Sequence, residues 1–107
     1  MTDCSVILVT VGSRAEGERI AEVLVGEQLA ACVNIVGPIR SIYRWENAVQ
    51  REDEWLLIIK APTTQFETLA VRVRQLHSYQ TPEVIALPIT AGSEAYLEWV
   101  RTVTRSG

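Results

Sequence analysis

His77 is the single histidine of this 107-residue chain and Cys4 and Cys32 are its two cysteines, so imidazole or thiol chemistry must draw on these three residues. Imidazole and thiolate are suitable ligands for copper or zinc, and Cys32 with His77 could also serve as a nucleophile and its base. The supply is small. One histidine and two cysteines without CxxC spacing cannot close a four-ligand site within one chain, and they make no disulfide framework. Both residues also have structural readings. Cys32 lies in an apolar run, as buried thiols commonly do, and His77 follows a helical stripe where it can meet the last carbonyls.

Gly12 and Gly17 have the glycine spacing of a phosphate-binding loop between a strand and a helix. Glu18-Arg19 then stands where Lys-Ser/Thr is needed, so an acid faces the phosphates and no hydroxyl reaches magnesium. Helix capping accounts for these glycines better than nucleotide hydrolysis does. Tyr43, Trp45, Trp55, Tyr79, Tyr96 and Trp99 supply rings with polar handles, a composition suited to subunit interfaces. Arg40, Arg44 and Arg51 beside them could support base stacking, but Glu46, Glu52, Asp53 and Glu54 neutralise the same region.

The element that must position these groups is the stretch Leu29 to Trp45. Ala31 to Val36 reads as a buried strand closed by a turn at Gly37-Pro38, after which Ile39, Ser41, Tyr43 and Trp45 alternate with Arg40, Ile42 and Arg44 across two faces. Before it, Ser5 to Val11 is a strand apolar on both faces. Ser13 with Glu16 forms a capping box that opens a helix from Arg14 to about Gln28. After it, Glu46 to Asp53 reads as a loop or an irregular extension of the hairpin, and Trp55 to Ile59 as a strand apolar on both faces.

Thr63 or Thr64, the latter paired with Glu67, should cap a second helix whose stripe is Phe66, Leu69, Ala70, Val73 and Leu76, ending near His77-Ser78. Glu83 to Ile89 is a fourth strand, and Pro88 places its end at a sheet edge or a bulge. Gly92-Ser93 opens a last helix carrying Tyr96, Leu97, Val100 and Val103 on one side. The order strand, helix, strand, strand, helix, strand is that of an α+β, ferredoxin-like βαββαβ sandwich with an added C-terminal helix, in one domain spanning 1–107.

Two crossover helices cover only one face of such a sheet. Because the first and third strands are apolar on both faces, the second face calls for a covering surface, and a copy of the same chain is the natural one. A formal net charge of -3 with interspersed signs argues against a dedicated nucleic-acid surface. The acidic amino terminus and the short apolar run after it suit neither a secretory signal nor a membrane span, so no membrane partner and a cytoplasmic location are expected.

Four stretches then carry a resemblance: AACVNIVGPIRSIYRWE, EWLLIIKA, HSYQTPEVIALPI and AYLEW, in that order, resemble the motifs of the CutA divalent-cation tolerance family. The matching positions include Ala31, Cys32, Val33 and Asn34; Ser41, Tyr43 and Trp45; Lys60; His77, Tyr79, Pro82 and Glu83; and Tyr96, Leu97 and Trp99. Asn47 stands where the family usually has glycine, Ser78 where it has proline, and Gly37-Pro38 replaces a more common Pro-Gly.

The resemblance implies a homotrimer similar in architecture to PII-type signal proteins, linked to copper and divalent-ion tolerance and to no enzymatic reaction. It implies no required cofactor. A copper site attributed to some members falls here on Val9, Leu76 and His77, of which only His77 can ligate. Copper or another divalent cation is therefore expected to bind weakly, with His77 and Cys32 as the candidate metal ligands. The alternative implied by the PII likeness is a small-ligand sensor, with clefts between subunits near Tyr79, Lys60 and the stretch Glu46 to Asp53.

Overall fold

Alternating burial along two apolar strands organises the chain: Ile7, Val9 and Val11 of β1 (Cys4–Val11) and Leu57, Ile59 and Ala61 of β3 (Ala48–Pro62) are fully enclosed, while their neighbours are half-open. The computed structural model describes residues 1–105. Its remaining elements are α1 (Arg14–Gly26), β2 (Cys32–Trp45), α2 (Phe66–Leu76), β4 (Val84–Pro88) and α3 (Glu94–Thr102). The four strands form one antiparallel sheet in the order β2-β3-β1-β4, the ferredoxin-like arrangement expected from the element order.

Ile20 and Leu24 of α1 and Leu69 and Val73 of α2 pack onto the enclosed face, making one core with Ile7, Val9, Leu57 and Ile59. Leu97 and Val100 of α3 close a second, smaller cluster with Cys4 and Ala31 at one end of the opposite face. Along the rest of that face Val6, Leu8, Leu56 and Ile58 are only half-buried, and Ile85 and Leu87 of β4 are 48% and 49% exposed. The uncovered apolar face expected from the sequence is therefore present in the chain.

Three local expectations are corrected. Gly37-Pro38 is not a turn: β2 runs through it with a register shift between Val36 and Ile39, and the ring of Trp55 lies directly over Gly37. The turn falls at Glu46-Asn47, whose φ values of 51° and 66° are the left-handed conformation that a two-residue hairpin turn requires. Asparagine tolerates that region, which suits a position where glycine is usual. Secondly, of the two readings of Glu46 to Asp53 the hairpin extension holds and the loop does not: Ala48 to Asp53 is the first part of β3, paired residue for residue with β2 from Trp45↔Ala48 to Arg40↔Asp53, and so regular where irregularity was expected.

The third correction concerns caps. Ser13 accepts the Glu16 N–H at 3.1 Å as expected, but α2 is entered through a 3₁₀ turn, Thr63–Gln65, with no side-chain cap. Thr63 instead meets Ser5 through their hydroxyls at 2.7 Å, and Glu67 is spent on the first turn of the helix. Helix α1 also stops at Gly26, two residues before the expected Gln28, which takes a positive φ of 61°. Pro88 does lie on an edge strand, as its missing N–H demands.

Candidate functional site

Beyond the bulge, β2 and β3 alternate so that Ser41, Tyr43, Glu52 and Glu54 share the face left open by the helices. The connector from α2 to β4 folds across the end of β1 toward the same face. Its Tyr79 hydroxyl donates to Glu54 Oε2 at 2.8 Å, and the Tyr43 hydroxyl donates to Glu52 Oε1. Together these segments bound a cavity of about 700 Å3 whose lining includes Tyr43, Trp45, Glu52, Glu54, Tyr79 and Glu83.

The electrostatics of this cavity are one-sided. Burial and then Glu54 push the Glu83 carboxyl above its ordinary value. Burial and the hydrogen bond to Glu54 raise the Tyr79 phenol, and the hydrogen bond to Glu52 pushes Tyr43 up to about 12. Both phenols therefore remain protonated donors at neutral pH. Glu54 itself is only 7% exposed.

His77 lies beneath this cavity as a structural joint. Its ring is fully enclosed, Nε2 lies 2.8 Å from the carbonyl of Thr10, and Nδ1 accepts the Tyr79 N–H at 3.0 Å. Glu16 Oε2 is 3.5 Å from Nδ1 and takes the Ser78 N–H at 2.8 Å, while Oε1 takes the Ser78 hydroxyl at 3.0 Å. The carboxylate of the expected capping box thus reaches forward to the α2–β4 connector. The network holds Tyr79 in place for Glu54.

Cys32 lies at the far end of the sheet. It pairs with Lys60, which in turn pairs with Val6, whereas His77 bonds Thr10. That separation is roughly 13 Å along β1 alone, at about 3.3 Å per residue. The structure does not bring Cys32 and His77 together, and among the described residues no three His, Cys, Asp or Glu side chains are grouped to hold a metal ion. Asn34 Oδ1 lies 3.7 Å from the Cys32 sulfur and also takes the Lys60 ammonium.

The model of the CutA1 divalent ion tolerance protein family matches residues 5–103. The chain belongs to this family. It is 48% identical over 99 residues to the divalent-cation tolerance protein CutA of Thermus thermophilus, covering 92% of this chain and 96% of that one. It is 52% identical over 101 residues to the chloroplastic protein CutA of Arabidopsis thaliana, covering 94% of this chain but only 56% of the plant protein. The crystal structure of CutA1 from Oryza sativa superposes with a TM-score of 0.95 at 46% identity, covering 97% of this chain and 95% of that one.

Within this chain, several residues that carried the resemblance meet in space: Ser41, Tyr43, Trp45, Tyr79 and Glu83 all line the cavity. Glu52 and Glu54 were not singled out as site residues by sequence reasoning. The polar run Arg51 to Glu54 has no apolar alternation to mark a strand, and only its pairing with β2 places Glu52 and Glu54 on one face.

Proposed function

We propose that the chain is a non-enzymatic, cytoplasmic homotrimer of divalent-ion tolerance that binds copper or another divalent cation weakly. The open apolar face of the sheet carries the assembly. Val6, Leu8, Leu56, Ile58, Ile85 and Leu87 form a contiguous half-exposed surface beside an edge strand, which favours burial against copies of itself. The name of the Thermus relative, a divalent-cation tolerance protein, supports the link to divalent ions. Cys32 and His77 stand apart, which supports a role other than nucleophilic catalysis.

Light scattering is expected to return three times the 11.9 kDa chain mass at micromolar concentration. A monomer would overturn the reading. Copper binding is expected to be weak because His77 can ligate only by giving up Thr10 or the Tyr79 N–H. Affinity should fall with pH, since imidazole and thiolate ligate deprotonated. Calorimetric titration of the parent, His77→Ala and Cys32→Ser tests this, and a nanomolar constant in the parent would contradict it.

The cavity favours a second reading, a small-ligand module of the PII-like kind. Its volume of about 700 Å3 lies in the range of small-molecule pockets. Because a ligand of the native state raises apparent stability, thermal-shift screening against metabolites tests it.

A further inference from the structure

We propose that the β2–β3 hairpin carries a docking surface for an acidic segment of another protein, one in which carboxylates flank aliphatic side chains. The register places Ile42 opposite Arg51 and Arg44 opposite Val49. Because these residues are two apart along each strand, all four side chains share one face, which on β3 is the face carrying Leu57 and Ile59 further along. It is the reverse of the open apolar face. The assembly proposed above buries the other side of the sheet.

The four side chains alternate in kind as well as in place. Arg44 and Arg51 are diagonal neighbours, as are Ile42 and Val49, at about 7–8 Å, so two guanidiniums and two aliphatic groups make a small checkerboard. Ile42 is 65% exposed and Val49 47%. At the base of the patch Arg40 is satisfied by Asp53, across the strands at 3.1 Å. Arg44 and Arg51 differ from it. Among the described residues neither takes part in an ion pair, whereas Arg14, Arg40, Arg72 and Arg101 all have carboxylate partners.

Two unneutralised guanidiniums beside two wet aliphatic groups fit a partner that brings both complements. Carboxylates meet guanidiniums in charge-assisted, often bidentate pairs, and aliphatic side chains remove Ile42 and Val49 from water. Phosphate or a nucleic-acid backbone would satisfy the charge and leave the aliphatic half exposed. An anionic bilayer is a poorer match still. Its attraction grows with the number of basic residues at its surface, only two are free here, and Glu46, Glu52 and Asp53 border them with the opposite sign. A narrow acidic segment avoids those carboxylates, as a broad anionic surface cannot.

The test is titration of the full chain into fluorescein-labelled, end-capped peptides, followed by anisotropy. The peptide GELEIEG supplies both complements, GQLQIQG lacks the charge, GEGEGEG lacks the aliphatic groups, and vesicles containing phosphatidylserine supply a lipid surface. GELEIEG is expected to bind, more weakly as salt rises, and better than either comparison peptide. Arg44→Ala and Arg51→Ala should each weaken it by about fivefold, the worth of one exposed ion pair at its upper end. Ile42→Thr should weaken it with the salt dependence retained. The double variant Arg44→Glu, Arg51→Glu should lose GELEIEG and take the reversed peptide GKLKIKG instead. Circular dichroism verifies that the variants fold.

Unchanged affinity in the folded variants would overturn this location. Equal binding of GEGEGEG would overturn the aliphatic half of the surface, and binding of vesicles without any peptide would overturn the protein partner in favour of lipid. A solution mass altered by the double variant would show that a second copy of the chain holds the patch, which also overturns it. Silence toward GELEIEG would do the same.

Discussion

The Tyr79 hydroxyl donates a 2.8 Å hydrogen bond to Glu54 Oε2, joining residues 25 apart and pinning the α2–β4 connector to β3. Because Glu54 is buried, removing the donor leaves a carboxylate oxygen without its partner. Tyr79→Phe is expected to cost about 1–3 kcal/mol of folding stability. Urea unfolding of the two proteins measures it, and coincident transitions would show that water replaces the hydroxyl without loss.

Acid sensitivity should trace to Glu16. Burial would raise its carboxyl, but hydrogen bonds from the Ser78 N–H and hydroxyl, with His77 nearby, outweigh burial and hold it below the ordinary glutamate value. A depressed folded value contributes stability that is fully present above the unfolded value of about 4.3 and is lost as pH falls through the folded one. Unfolding midpoints at neutral pH and through the carboxylate range should therefore fall on acidification more steeply for the parent than for Glu16→Gln. Parallel profiles would remove Glu16 as the cause.

Gly37→Ala should destabilise the hairpin. A Cβ there would sit 2.7 Å from Trp55 Cγ, closer than real Cβ contacts come, and the ring belongs to a strand that cannot step aside freely. Overpacking of this kind costs about 1–3 kcal/mol. Thermal unfolding of Gly37→Ala, alone and with Trp55→Leu, separates the clash from a backbone effect, since the smaller side chain should restore part of the loss.

Charge on the open face should break the assembly without unfolding the chain. Ile85 and Leu87 are about half-exposed, so neither is needed to fill the core beneath α1 and α2. Ile85→Lys and Leu87→Lys are expected to retain their circular dichroism and shift the solution mass toward 11.9 kDa. A mass unaffected by both would place the contact surface elsewhere.

Much of the architecture was legible along the chain. The doubly apolar β1 and β3, the Ser13 cap, the α2 stripe and the edge position of Pro88 each follow from a local rule about periodicity, a side-chain oxygen or a missing N–H. Local rules also gave the wrong turn. Gly37-Pro38 has turn composition, yet Trp55 across the sheet holds it within a strand, and the positive φ values fall at Glu46-Asn47 instead.

The site divides in the same way. Residue types alone determined that imidazole was scarce, that a nucleotide loop was incomplete and that aromatics gathered near the hairpin. Only tertiary structure decided that His77 is a joint between Thr10 and Tyr79, that Glu16 reaches Ser78, and that Glu52, Glu54 and Glu83 face one cavity. The polar stretch Ala48 to Asp53 carries no hydrophobic alternation because both of its faces lack a core, so its strand state comes from pairing with β2. Strand register, which joins residues distant in sequence, put Glu52 and Glu54 on the face that the helices leave open.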